Sequence, residues 1–266
     1  MTEQDADMTD ELQPREFPII EYDPAPRAVI EPSDHLPRMD VPEHCVFCFF
    51  AEVIARLAAA PGSRLVRDMK SAMGSHPLYE IEWGGRRLAL FHPGVGAPLA
   101  AGLMDEVIAI GCRKFIACGS AGALSSGLVH GHILAPTSAV RDEGRSYHYL
   151  PPAREVEPTP EALAAIEAVL RERHVVHTLG KVWTTDAFYR ETPARVARRR
   201  AEGCLVVDME AAAFFAVARF RGVAFGQLLY AADDVSGEEW DPRSGLSKER
   251  IHEGLFALAA EACLRL

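Results

Sequence analysis

Apolar and polar positions along this chain follow two alternating patterns, one typical of strands and the other of helices. Short apolar runs predict buried strands, whereas longer amphipathic stretches that end at glycine predict helices. Gly84 and Gly85, between two strand-like segments, indicate a two-residue hairpin. The predicted strands are Arg27–Glu31, Arg64–Met69, Pro77–Trp83, Arg86–His92, Lys114–Cys118, His132–Ala135, Ala139–Arg141, Val175–Trp183, Cys204–Val207 and Val223–Ala232. The predicted helices are Val41–Ala60, Leu99–Ile110, Pro160–Arg173, Pro193–Glu202, Asp208–Arg221 and Ser247–Leu266.

Strands and helices therefore alternate over most of the chain. This order predicts an α/β fold in which a mixed, largely parallel central sheet is flanked by helices. We expect one domain over residues 17–266. Residues 1–16 carry six acidic side chains and one arginine, so we expect a disordered or loosely attached acidic segment there.

Composition narrows the classes of function. The 266 residues are 48% hydrophobic, and the net charge of −10 lacks the positive field that nonspecific nucleic-acid binding needs. The longest apolar run, Ala211–Ala218, is too short for a bilayer, which takes about 20 residues. The beginning of the chain has no basic segment followed by an apolar one, and the six cysteines suit a reducing compartment. We therefore expect a cytoplasmic protein that binds neither nucleic acid nor membrane.

Several groupings have an ordinary structural interpretation. Cys45 and Cys48 have the spacing of a metal or redox pair, but no second pair of ligands completes a zinc site, so packing in the core is favoured and no metal is expected. The cluster Arg195 and Arg198–Arg200 fits a solvated helix face. The segment His92–Gly96 is predicted to be a glycine loop, either beside a ligand or as a plain turn.

The small-residue segment Gly119–Gly122 follows an apolar run. A nucleophile elbow needs glycine two residues before the serine, and Cys118 stands there before Ser120. The segment is instead predicted to be a loop whose backbone N–H groups and one hydroxyl approach an anion or a sugar.

Two acidic motifs stand at the ends of apolar strands. Asp208 and Glu210 open an apolar helix, where capping needs only one carboxylate, so Glu210 requires other donors such as sugar hydroxyls. Asp233 and Asp234 end the run from Leu228. Adjacent carboxylates near an apolar pocket can hold one proton at neutral pH, although a solvated loop is the alternative.

Together these segments resemble the nucleoside phosphorylase superfamily of the uridine phosphorylase and hexameric purine nucleoside phosphorylase type, which includes the methylthioadenosine/S-adenosylhomocysteine nucleosidases. The resemblance covers roughly Arg27 to Leu266. The segments that carry it are Val95-Gly96, Gly119–Ala123, Arg141–Gly144 with His148, Thr185–Tyr189, Asp208–Ala212 and Asp234-Val235.

The resemblance implies cleavage of an N-ribosidic bond through an oxocarbenium-like ribosyl group. It implies that Glu210 accepts hydrogen bonds from the ribose hydroxyls and that Asp234 protonates the departing base. Met209 would pack under the sugar, and Phe188 and Tyr189 would stack on the base. The other substrate-binding residues it implies are Gly96, Gly119, Ser120, Ala121, Gly122, Arg141, Asp208 and Asp233. No cofactor is expected beyond phosphate as a co-substrate, and a homo-oligomer, either a dimer or a hexamer, is implied.

The sequence departs from the phosphorylases at their phosphate and uracil positions. The phosphate loop would correspond to Ile30–Asp34, which lacks its glycine and arginine, and Ala117 stands at a second arginine position. A third arginine has no clear counterpart near Met69–His76. The uracil-binding Gln and Arg would fall at Thr192 and Ala194.

Three functions stay open. Phosphorolysis, with a slight preference for purines, is favoured by family frequency. The missing arginines favour hydrolysis, with Glu31, Asp34 or His35 activating water. A silent nucleoside-binding protein is the third, although such a protein needs neither Glu210 nor Asp234.

Overall fold

The structure, a computed structural model, describes residue 12, residues 14–243 and residues 247–266. Its helices are α1 (Pro32–His35), α2 (Ala51–Ala58), α3 (Ala97–Ile110), α4 (Pro160–Glu172), α5 (Pro193–Ala201), α6 (Ala211–Arg221) and α7 (Glu249–Cys263). Its strands are β1 (His44–Cys48), β2 (Arg64–Ser71), β3 (Gly74–Trp83), β4 (Arg86–Phe91), β5 (Lys114–Ala123), β6 (Ile133–Asp142), β7 (Glu155–Val156), β8 (His177–Thr185), β9 (Cys204–Asp208) and β10 (Ala224–Asp234). The predicted segment 1–16 lies mostly outside the described residues.

The strands form one mixed sheet that closes on itself at one end. Its order is β10-β6-β8-β9-β5-β1-β4-β3-β2, and β10 also pairs with β5, so five strands enclose a barrel. The pairs β1–β4, β1–β5, β5–β10, β6–β8 and β8–β9 are parallel. Strands β2, β3 and β4 form an antiparallel meander that extends the sheet at the other end. The predicted α/β fold with a mixed central sheet is confirmed.

Helices bury both faces of the sheet. Helices α3 and α6 pack on one face, and helices α2, α4 and α7 pack on the other. Successive β1 residues point to opposite faces, so Phe47 joins the first core and Val46 the second. Cys45 and Cys48 are buried free thiols of this strand, as the packing interpretation expects. Among the described residues, no helix combines the length and the apolar character that a bilayer crossing requires.

The predicted helix Val41–Ala60 is wrong in its first half. The structure has the central strand His44–Cys48 there, every residue of which is buried, and a shorter helix, Ala51–Ala58, after it. A short continuous apolar run fits a buried strand or a buried helix equally well by pattern alone. Pairing on both sides, with β4 and β5, decides for the strand.

Three other local predictions also change. The segment Arg27–Glu31 is not a strand, and Val29 and Ile30 are exposed ahead of α1. The two strands predicted within 132–141 are one strand, Ile133–Asp142, with a register shift near Pro136. The predicted loop Gly119–Gly122 is the continuation of β5, since β10 and β9 pair with it.

Candidate active site

A cavity of about 630 Å³ opens where the parallel strands β5 and β10 end. Ligand sites of α/β proteins gather at the carboxyl ends of parallel strands, so this is the expected place for chemistry. The sequence-predicted residues that line it are Gly119, Ser120, Ala121, Gly122, Phe188, Tyr189, Asp208, Met209, Glu210 and Asp233. Of the remaining two substrate-binding residues, Gly96 reaches the wall through its backbone, whereas Arg141 lies elsewhere.

Asp208 and Glu210 make different contacts at the start of α6. Asp208 caps the helix, since its Oδ2 accepts the Ala211 N–H at 2.8 Å. Its Oδ1 accepts the Thr184 hydroxyl at 2.7 Å. Glu210 makes no such cap and lines the cavity instead. This separation matches the sequence argument that capping needs only one carboxylate.

Glu210 is held by the glycine loop after β4. The Gly96 N–H donates to Glu210 Oε1 at 2.5 Å. Gly96 adopts φ of +92°, a conformation that favours glycine and turns its amide toward the carboxyl group. The predicted glycine loop therefore fixes a side chain of the cavity wall, and Val95 of the same loop lines the cavity.

The carboxyl groups of Asp208 and Glu210 are buried close together, and the pKa of each is raised. Burial, and after it the charge of Asp208, raises the pKa of Glu210 to about 8. Burial also raises the pKa of Asp208, to about 6, although hydrogen bonds from Thr184 and Ala211 oppose the rise. The pair therefore holds about one proton at neutral pH. A ligand that donates hydrogen bonds to Glu210 favours its charged form and lowers that pKa.

Phe49, in the loop after β1, and Ser120, in β5, both line the cavity. Ser120 is exposed to it, and Gly119 lies against the Phe49 ring, where an added Cβ would come within 3.0 Å of the ring carbon Cδ2. Phe188 and Tyr189 stand at the mouth, with 50% and 89% exposure and ring centroids 4.1 Å apart. These rings give the cavity an apolar rim that can cover a planar group.

The structure places the two adjacent acids at the end of β10 differently. Asp233 lines the cavity, as do Gln227 and Leu229 of the same strand. Asp234, the predicted acid, is not among the described lining residues; it pairs with Arg243 at 3.2 Å and accepts the Ser236 N–H at 2.8 Å. Although burial opposes them, these contacts lower the pKa of Asp234.

Arg141 is a second residue that the structure places away from the site. Its guanidinium donates to the Ser146 hydroxyl at 2.9 Å and to the backbone oxygens of Leu150 and Pro151. Burial lowers its pKa, and it holds the turn after β6 in place. It does not line the cavity.

Sequence reasoning missed Glu191, which also lines the cavity. Burial, and after it the charge of Asp233, raises the pKa of Glu191 to about 7. Glu191 follows the 3-10 turn Phe188–Arg190, and its local sequence gives no signal that it lines the cavity.

The stretch Ile30–Asp34, which was expected to correspond to the phosphate loop, does not follow the first strand of the sheet. The first strand of the sheet is His44–Cys48, not the stretch before Pro32, so the loop after it contains Phe49 and Phe50. Phe49 lines the cavity. Among the described residues around the cavity, none is lysine, arginine or histidine, and six are acidic: Glu191, Asp208, Glu210, Asp233, Glu238 and Glu239.

Comparison with known proteins shows the family of this chain. The sequence profile of the phosphorylase superfamily matches residues 43–262. A guanosine phosphorylase from Halorubrum lacusprofundi is 28% identical over 153 residues, which are 58% of this chain and 64% of that protein. A uridine phosphorylase from Treponema pallidum is 28% identical over 188 residues, which are 66% of this chain and 71% of that protein. The chain thus spans about two thirds of each of these relatives.

Solved structures show the same fold. A purine nucleoside phosphorylase from Toxoplasma gondii, in complex with immucillin-H, has a TM-score of 0.74 at 19% identity, with 85% of this chain and 92% of that chain covered. An AMP nucleosidase from Bacteroides thetaiotaomicron has a TM-score of 0.68 at 24% identity, with 84% and 87% covered. With a family profile that spans most of its length and a fold that agrees, the chain belongs to the phosphorylase superfamily, whose members include nucleoside phosphorylases and nucleosidases.

Proposed function

We propose that this protein cleaves the N-ribosidic bond of a nucleoside. One observation carries the proposal: a single cavity is lined by the buried carboxyl group of Glu210 and by the carboxyl group of Asp233, with Phe188 at its rim. A nucleoside has a group that suits each of these residues. Its ribose hydroxyls can donate to Glu210, and its base is a flat heterocycle that can lie against Phe188 and take up a proton from a carboxyl group as it leaves.

Glu210 serves the ribose. Breaking the bond between C1′ and the base nitrogen leaves positive charge on the sugar, which a nearby carboxylate stabilises electrostatically. The 2′- and 3′-hydroxyls of a bound ribose would donate to Glu210 and shift it toward its charged form. Because Gly96 already fixes the carboxyl group, little reorganisation is needed when the charge develops.

The far end of the cavity serves the base. Phe188 and Tyr189 provide aromatic faces, and the carboxyl groups of Glu191 and Asp233 can supply the proton that a departing base takes up. A purine accepts such a proton at a ring nitrogen. Thr192 and Ala194 offer none of the contacts that the resemblance expects for uracil. Purine nucleosides are therefore the proposed substrates.

Water is the proposed nucleophile. Phosphate carries nearly two negative charges, and proteins usually hold it with arginine. The described lining of this cavity offers six carboxyl groups and no basic side chain, and Phe49 lies in the loop after β1, the first strand of the sheet. A dianion would meet repulsion there, whereas water would not. The AMP nucleosidase of similar fold fits this reaction class.

Phosphorolysis is the second candidate. The Ser120 hydroxyl is exposed in the cavity beside the backbone of Gly119 and can donate to an oxyanion. The curated relatives are named as a guanosine phosphorylase and a uridine phosphorylase. The test of function must therefore include inorganic phosphate as a co-substrate.

We also propose that the protein forms a homo-oligomer. Four side chains surround the mouth of the cavity, and each is at least half exposed: Val95, Phe188, Tyr189 and Trp240. A second copy that covers this rim would exclude water from the bound base. Analytical ultracentrifugation tests this: a dimer or a larger assembly supports it, and a monomer at micromolar concentration contradicts it.

The test of function is a cleavage assay. The protein is incubated with adenosine, guanosine, inosine and uridine, with and without inorganic phosphate, and the sugar product is identified by mass spectrometry. Free ribose formed at the same rate without phosphate supports hydrolysis, and ribose 1-phosphate formed only with phosphate supports the second candidate. No cleavage of any of these nucleosides contradicts the proposal.

A further inference from the structure

Two carboxyl groups that influence each other line the cavity from different parts of the fold. Glu191 follows the 3-10 turn Phe188–Arg190, and Asp233 lies at the end of β10. Their charges interact, since Asp233 contributes to the raised pKa of Glu191. Neighbouring carboxyl groups in a confined site do not both ionise readily, so one of the two keeps a proton near neutrality.

The surroundings of the two groups differ. The indole N–H of Trp240 donates to Asp233 Oδ2 at 2.7 Å. The Glu191 carboxyl group, by contrast, has no hydrogen-bond donor among the described residues. Nothing in the described surroundings of Glu191 stabilises its charged form, and burial raises its pKa, so Glu191 is the group of the two that keeps a proton.

The remaining charged groups around the cavity act in the same direction. They are the carboxyl groups of Asp208 and Glu210 at the start of α6 and those of Glu238 and Glu239 in the loop before Trp240. Each is acidic, and negative charge in the cavity favours the protonated form of Glu191. No described basic side chain of the lining opposes it.

We propose that Glu191 is the general acid that protonates the departing base and that Asp233 is the fixed anion beside it; this inference rests on the proposed nucleoside cleavage. As the bond between C1′ and the base nitrogen breaks, its electron pair moves into the base. The proton of Glu191 goes to a ring nitrogen, which for a purine is N7. Water attacks C1′, its surplus proton leaves to solvent, and Glu191 is reprotonated from solvent.

Asp233 has a matching role toward the base. A charged carboxylate accepts an N–H, and the N6 amino group of adenine lies next to N7. A protonated Glu191 and a charged Asp233 therefore offer one donor and one acceptor to that edge of adenine. A 6-oxo group in the same place would face the carboxylate of Asp233 as a second acceptor.

The test compares two leaving groups. Adenosine needs a proton on its base, whereas 4-nitrophenyl β-D-ribofuranoside releases a stable phenolate without one. Glu191→Gln keeps the shape of the side chain but removes the acid. We expect kcat on adenosine to fall by about 10² or more, and kcat on the nitrophenyl riboside to change by less than about threefold.

Glu106→Gln is the control, because it neutralises a partly buried glutamate of α3 that does not line the cavity. We expect it to change both substrates by a similar factor. A fall of equal size on both substrates in Glu191→Gln would overturn the proposal. Wild-type protein that cleaves the riboside but no nucleoside would overturn it too, whereas cleavage of neither compound would overturn the proposed function beneath it.

A second measurement does not depend on the folding of Glu191→Gln. In the wild-type protein, kcat on adenosine should fall as the pH rises through about 7, because the acid form of Glu191 is lost. Asp233→Asn removes the neighbouring anion, so this fall should move to lower pH. An unmoved or upward-moved limb would overturn the assignment.

Discussion

The Gly96 N–H donates to Glu210 Oε1 at 2.5 Å, although 114 positions separate the two residues in sequence. This bond ties the glycine loop after β4 to the first turn of α6. The Glu210 side chain also lines the cavity. Its carboxyl group is thus fixed by the backbone and still faces the space in which a ligand that offers hydroxyl donors would bind.

The first prediction concerns the activity of Glu210→Gln. The amide keeps the acceptor for the Gly96 N–H but cannot carry negative charge. If Glu210 stabilises a positively charged ribosyl group, kcat should fall by about 10²–10³. Steady-state kinetics on the best nucleoside checks this. Glu106→Gln is the control, because Glu106 is a partly buried glutamate of α3 that does not line the cavity, and it should retain activity.

The second prediction concerns the stability of the same variant. The pKa of Glu210 is raised from 4.5 to about 8 in the folded protein, so between these values the unfolded chain is ionised while the folded chain keeps the proton. The folded state then binds more protons, and Glu210 lowers the free energy of unfolding progressively as the pH rises from about 4.5 to about 8.

Glu210→Gln removes this penalty. We expect its Tm to equal that of the wild type near pH 4.5 and to exceed it near pH 8.5, by an amount equivalent to about 1–3 kcal/mol. Differential scanning calorimetry at the two pH values checks the difference. A gap in Tm that stays constant with pH would mean that the substitution acts through packing rather than through charge.

The third prediction separates the two adjacent acids. Asp233 faces the cavity, whereas Asp234 pairs with Arg243, and its backbone bridges Asp241 in the loop that carries Trp240. We expect Asp233→Asn to lower kcat on purine nucleosides by about 10². Asp234→Asn should lower Tm, through loss of a partly buried ion pair, and lower kcat by less than about fivefold. The reverse order of effects on kcat would restore the sequence-based assignment to Asp234.

The fourth prediction tests the glycine loop. An added Cβ at Gly96 would meet nothing within 4 Å, so Gly96→Ala tests the backbone conformation alone. Alanine disfavours φ of +92° by about 1–2 kcal/mol, and relaxing that strain would turn the amide away from Glu210. We expect a lower Tm together with a lower kcat. Gly62→Ala, at φ of +87° in a turn remote from the cavity, should lower Tm without lowering kcat.

Much of this architecture follows from local pattern. After Arg64 the predicted order of strands and helices matches the structure, except that β7 was not predicted and β6 was predicted as two strands. The segment 41–60 was not, since an apolar run gives the same periodicity signal for a buried strand and a buried helix. Only the pairing of β1 with β4 and β5 distinguishes them.

The site was predictable at Glu210 but not at the base end. The apolar helix after Asp208 showed that a second carboxyl group would be buried. The sequence could not distinguish Asp233 from Asp234, because only the tertiary structure shows that Asp233 lines the cavity and that Asp234 pairs with Arg243. Glu191 was missed because nothing in its local sequence shows that it comes near Asp233 in the fold.

A crystal structure with a nonhydrolysable nucleoside analogue, an iminoribitol joined to a purine through carbon, tests the central claim most directly. The account predicts both ribose hydroxyls within about 2.6–3.2 Å of Glu210, with the base against Phe188 and N7 toward Glu191 and Asp233. An analogue bound with its base at Glu210, or bound outside this cavity, would contradict it.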